Sequence, residues 1–170
     1  MLVHTGSQPA RAVANYFLDL AKSEGRDIDP MGIQKLVYFA HGWNLAMYGR
    51  PLISEPIEAW DYGPVIRDLY HDFKRFGNGP ITQPALELKR GPSAMQFQFT
   101  KPEIAQDSPP EILSLLNRVW AVYKGFTSIQ LSNMTHTPGS PWRIARDQGL
   151  SVIPQEIIRE WFTTQMNAAH

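Results

Sequence analysis

Residues 32–49 read GIQKLVYFAHGWNLAMYG, and Gln34, Tyr38, His41 and Tyr48 fall along one side of the helix that this stretch predicts. Amide, phenol and imidazole groups on one face are the types that move protons or hold polar partners. At about 100° per residue, Ile33, Leu36, Ala40, Trp43 and Met47 share the opposite side, while Lys35 and Gly42 flank the polar stripe. Two readings of the stripe stand side by side. It is either a hydrogen-bonded interior network or a grip for a partner, since Tyr and His combine apolar bodies with polar tips. The stripe's orientation towards solvent or core is not set by the sequence.

Other chemistry-bearing residues form no constellation. The GNGP turn lacks the Lys and Ser or Thr of a phosphate-binding loop. No histidine pair stands at metal-ligating helical spacing, and the absence of cysteine removes disulfides, thiol nucleophiles and thiolate metal sites. His71 and Asp72 are adjacent, so on a helix their side chains diverge. Asp27 and Asp29 suit a turn and a helix cap. In EAWDYGPV, Asp61 and Tyr62 stand at the lip of a turn relieved by Gly63, and Pro64 presets a helix after it. His136 opens the rigid loop HTPGSPW, whose Trp142 is expected to fold back onto the core. The chain reads as a non-enzyme that needs no cofactor and no metal.

Composition sets the frame. The 170 residues are 43% hydrophobic and 19% charged, which fits one globular domain over residues 1–170 with a sizeable core. Sixteen basic and sixteen acidic residues cancel, so no general attraction to nucleic acid or an anionic membrane is expected. No apolar run approaches the roughly 20 residues of a membrane span. The leading segment lacks a secretory pattern, and the expected location is the cytoplasm.

Periodicity and punctuation predict the scaffold that carries these residues. A first helix is expected over residues 9–23, capped by Ser7 and stopped at Gly25. The second starts at Pro30 behind Asp29 and ends at Gly49. Residues 50–64 read as a proline-interrupted edge strand. Gly63–Pro64 is expected to launch a third helix with Val65, Ile66, Leu69, Tyr70, Phe73 and Phe76 inward. Residues 77–94 read as an irregular connection with one short strand. The alternating MQFQFTKP should pair with the strand near residues 57–60. A helix capped by Ser108 buries Leu113, Leu116, Val119, Trp120 and Tyr123. Short helices capped by Thr127 and Ser140 and a last helix from Pro154 complete the chain. The fold class is mainly α, a single compact helical domain with a small antiparallel β-hairpin or sheet inserted after the second helix.

The run from IQKLVYFAH through EAWDYGPVIRDLY, joined later by LSNMTHTPGSPW, resembles the Panacea antitoxin domain, the SocA-like or GepA-like family. Its core motif covers about residues 30–76. The resemblance implies a prophage- or plasmid-associated antitoxin that neutralises a toxin encoded by the adjacent gene, mostly by direct binding. Family members face unrelated toxins, and one branch acts as an adaptor that hands its toxin to a ClpXP-type AAA+ protease. The leading expectation is sequestration of a cognate toxin, with Lys35, Tyr38, His41, Tyr62, Arg67 and Tyr70 as partner-binding residues. The alternative is the proteolytic adaptor. A lower alternative is an enzyme that reverses the toxin's modification with His41, Asp61 or His136 as acid–base groups.

Overall fold

The computed structural model describes residues 6–93 and 95–169. The first residues of the leading segment and residue 94 of the connection lie outside them. Among the described residues the chain is mainly α, with seven α-helices and two separate two-stranded antiparallel sheets. No helix among them is long and apolar enough to cross a membrane.

Helix α2, Pro30–Tyr48, is the axle of the fold, and α1, α3, α4, α5 and α7 all pack against it. Its start and stop are local. Asp29 accepts from the Gly32 amide at 2.7 Å, Pro30 occupies the first turn, and Gly49 closes it at φ 68°. From Gly32 to Gly42 every residue is buried, so this segment has no wet face and the Gln34–Tyr38–His41 stripe belongs to the interior. Of the stripe, Tyr48 alone, at the C-terminal end, is exposed. Gly42 has a packing reason: a Cβ there would sit 2.2 Å from the Phe162 ring of α7, Gln155–Ala168. Deletion of one side chain lets two helices approach closely.

Helix α1, Ala10–Ser23, has Pro9 at its N-cap, and the Glu55 carboxylate accepts from the Ala10 amide at 2.9 and 3.1 Å. The expected local cap by Ser7 is thus replaced by an anion delivered from another segment. Helix α4, Pro110–Tyr123, is preceded by Pro109, and Ser108 instead accepts a hydrogen bond from Gln8. Its buried face is Ile112, Leu115, Leu116, Val119 and Trp120, whereas Leu113 faces outward. Helices α5, Ser128–Thr135, and α6, Pro141–Asp147, are capped by Thr127 and Ser140 as expected.

The β-elements differ most from expectation. Strand β1, Glu58–Trp60, pairs with β2, Gly63–Val65, across the two residues Asp61 and Tyr62. Gly63–Pro64 therefore ends a hairpin instead of opening a helix. Helix α3, Arg67–Phe73, begins only after an extended Ile66, and a 3-10 turn, Lys74–Phe76, finishes it. The physical reason is a side chain from α2. The Gln34 amide donates to Ile66 O at 3.0 Å and accepts from Ile66 N at 2.8 Å, imitating a neighbouring strand. Strand β4, Phe97–Thr100, pairs with β3, Glu87–Arg90, and not with β1. The free edge of β1 is occupied by the 151–153 segment, with Ala59 N donating to Ser151 O and Ile153 N to Ile57 O.

Candidate partner-binding site

The Asp61–Tyr62 turn is held from two sides. From α2, the Lys35 ammonium donates to Pro64 O at 3.1 Å. From α5 and α6, Ser132 Oγ donates to Tyr62 O, the Trp142 indole donates to Trp60 O at 2.6 Å, and Arg146 pairs with Asp61 at 2.8 Å. Gly63 lies where these supports meet, at φ 120°. A Cβ there would fall 2.9 Å from Lys35 Nζ and 3.2 Å from both Thr135 Oγ1 and His136 Cε1. Both the backbone conformation and the crowding demand glycine. The separated blocks around Lys35, Gly63 and His136 therefore converge on one turn.

Beside the turn lies an open groove of about 630 Å³ between the start of α2, the β1–β2 hairpin and α3. Met31, Lys35, Trp60, Tyr62, Val65, Leu69, Tyr70 and Lys74 contribute to its lining. Tyr62 is 82% exposed and Tyr70 is 41% exposed. The Tyr70 ring meets Trp60 edge-on with centroids 4.8 Å apart. Arg67 lies 5.5 Å from the Trp60 ring while its guanidinium pairs with Glu58 through two bonds of 2.8 and 3.0 Å. The Glu58 carboxylate raises the Arg67 pKa above its usual value. Such a surface offers rigid aromatic area and a preset cation, the chemistry of protein–protein contacts.

Lys35 stands apart from its neighbours. It is 2% exposed, and burial pushes its pKa down to about 8. No carboxylate pairs with it among the described residues.

Lys35, Tyr62, Arg67 and Tyr70 are thus gathered around one hairpin. Tyr38 and His41 are not part of it, and the expectation that they offer surface is corrected. Tyr38 is 2% exposed, its ring 5.7 Å from those of Phe39 and Phe162, and burial raises its pKa. His41 is fully buried. Its Nδ1 accepts from Leu52 N and Ile53 N at 3.3 Å, which leaves Nε2–H to donate to Gln155 Oε1 at 2.7 Å. Burial pushes the imidazole down to about 4, outweighing the opposing bond to Gln155. Chain crossings near α7 explain these two residues.

The acid–base alternatives do not assemble either. His41 is engaged as described, Asp61 pairs with Arg146, and His136 Nδ1 lies 2.6 Å from Ser132 O, which only accepts and so requires Nδ1–H. These three residues share no hydrogen bond among the described residues. No group of three His, Asp or Glu residues able to hold a metal occurs among them.

Sequence reasoning missed the inner and outer walls of the groove, Met31, Trp60 and Lys74. Trp60 carried a usable signal: it opens a two-residue connection with Gly63 on the far side. Asp-Tyr is not a favoured pair for that connection, so the signal is weak.

The sequence model described as "Antitoxin SocA-like, Panacea domain" matches residues 33–143. That span runs from α2 into α6 and contains the hairpin with Lys35, Ser132 and Trp142 of its supports, while Arg146 lies just beyond it. Antitoxin SocA of Caulobacter vibrioides (strain NA1000 / CB15N) is 35% identical over 138 residues, covering 81% of this chain and 70% of that protein. No solved structure matches. The chain belongs to the SocA-like antitoxin family that carries the Panacea domain.

Proposed function

We propose that this chain is a cytoplasmic antitoxin that neutralises a toxin encoded by the adjacent gene through direct binding, without chemistry of its own. The observation that carries this reading is the groove beside the β1–β2 hairpin, lined by exposed Tyr62 and Tyr70 and by the buried cation Lys35, with Arg67 against the Trp60 ring nearby, all within the span shared with the family. Residues 1–170 act as one domain, and the interior Tyr38 and His41 serve by keeping α2 rigid behind the groove. A stable complex buries on the order of 800 Å² per partner, and the groove with its aromatic rim forms the centre of such a patch. Alanine at Tyr62 or Tyr70 is expected to weaken binding by about 2 kcal/mol, as aromatic anchors at interface centres do.

The test is co-expression with the adjacent gene and subsequent affinity capture. Growth arrest by the neighbour alone, relief by this chain and co-purification at fixed ratio are the expected results. Relief at substoichiometric amounts with no captured complex would overturn direct sequestration. Relief that depends on a ClpXP-type protease, with the toxin disappearing from cells, would make the chain an adaptor.

A further inference from the structure

An apolar side chain seated in the groove would leave Lys35 unexplained. Its ammonium has three N–H donors, and Pro64 O accepts from one of them at 3.1 Å. Burying an unpaired charge is unfavourable, and proteins normally pair it or neutralise it. The ionisable neighbours from every surrounding element are engaged elsewhere or carry the same sign. Asp61 of the turn pairs with Arg146, Glu58 of β1 pairs with Arg67, and His136 at the end of α5 lies within hydrogen-bond distance of Ser132 O. Lys74 lies 5.9 Å from the Tyr70 ring and adds a second positive charge to the lining, beside the phenols of Tyr62 and Tyr70. Asp61 also lines the groove, but its charge is met by Arg146, so the lining is positive at its inner wall and at one edge, with aromatic surface between them. Its volume of about 630 Å³ falls in the range that holds a small group of side chains.

We propose that this groove takes a segment of the toxin in which an Asp or Glu stands beside a bulky apolar residue, with the carboxylate pairing with Lys35 and the apolar side chain lying between Met31, Trp60 and Tyr70. The inference rests on the antitoxin reading above and names the chemistry that the toxin must present. Charge complementarity favours an acidic segment because the ammonium is already desolvated in the free protein, so association need not strip its water. A partner carboxylate also opposes the burial that holds Lys35 down to about 8. Complex formation then takes up a proton above that pH, and affinity falls between pH 8 and 10.

The experiment measures binding of the intact toxin and of overlapping peptides of about 15 residues that span it, using fluorescence anisotropy. Retained peptides are expected to carry the acidic–apolar pair. Asp→Asn or Glu→Gln in the peptide weakens binding about tenfold, and Lys35→Met weakens the parent peptide to the same level. Lys35→Met does not weaken the amide peptide further. The peptide substitution leaves the fold of this chain untouched, so loss through misfolding does not imitate the result. If intact toxin binds and neither substitution matters, the groove chemistry is overturned while the antitoxin reading stands. If toxin is neither bound nor neutralised, both fall. If the groove instead supports a dimer that dissociates on Tyr62→Ala and retains no toxin peptide, its occupant is a second copy and the inference is overturned.

Discussion

His41 enters the folded state as a neutral imidazole because both of its nitrogens are committed. Nδ1 receives two backbone amides and Nε2–H is given to Gln155. Protonation would turn the acceptor into a donor facing two donors, in a fully buried position. With a folded pKa of about 4 against 6.5 for the free side chain, the unfolded chain binds the proton more readily between these values. The contribution of His41 is thus complete above pH 6.5 and is lost as pH falls towards 4. The full linkage is worth about 3 kcal/mol. Urea unfolding of the wild type and of His41→Gln, which keeps an acceptor for the two amides, should show the wild type losing that much more stability between pH 6.5 and 4. Parallel stability curves for the two proteins would show that the imidazole is not held neutral.

At the scale of elements, one amide side chain sets where α3 begins. Gln34 satisfies both polar groups of Ile66 and so stops the helix from starting at Pro64. Gln34→Leu removes both partners and leaves a buried N–H and C=O, at a cost of about 2–4 kcal/mol. Hydrogen exchange should quicken first at the Ile66 amide and along α3; unchanged protection there would remove Gln34 from that role. The same contact explains what the sequence conveyed and what it hid. Helix α2 was legible because its cap, first-turn proline and terminal glycine are all local. The caps of α5 and α6 were legible for the same reason. A small antiparallel element after α2 was legible, but the β1–β2 pairing was hidden because its strands are three residues each and its geometry depends on Gln34, Lys35 and Trp142, which are distant in sequence. Strand β4 was found as a strand but given the wrong neighbour, since period-two alternation describes a face and not a partner. The placement of Tyr62, Arg67 and Tyr70 beside one turn was legible because they stand close together in sequence. The burial of Tyr38 and His41 was not, because α2 is covered by five helices whose placement no local pattern encodes.

For the whole molecule, the binding role proposed for Lys35 sets stability against binding. A fold optimised for its core alone would place a long apolar side chain here, where a charge sits 2% exposed without a carboxylate. Replacing buried charge with an apolar side chain of similar length commonly stabilises a protein by about 1–4 kcal/mol. Loss of the bond to Pro64 O offsets about 1 kcal/mol of that. Lys35→Met is therefore expected to be more stable than the wild type at pH 7 by up to about 3 kcal/mol. The advantage should shrink with alkali. Lys35 has a folded pKa of about 8 against 10.5 when unfolded, so the unfolded wild type holds the extra proton between these values and wild-type stability rises across that window. Stability curves of the two proteins from pH 7 to 10.5 should converge, whereas toxin capture at pH 7 should be weaker for the more stable variant. A variant that is less stable at pH 7 and binds toxin as well as the wild type would make Lys35 a structural tie to the hairpin, because only then would the ammonium be worth more to Pro64 than to a partner.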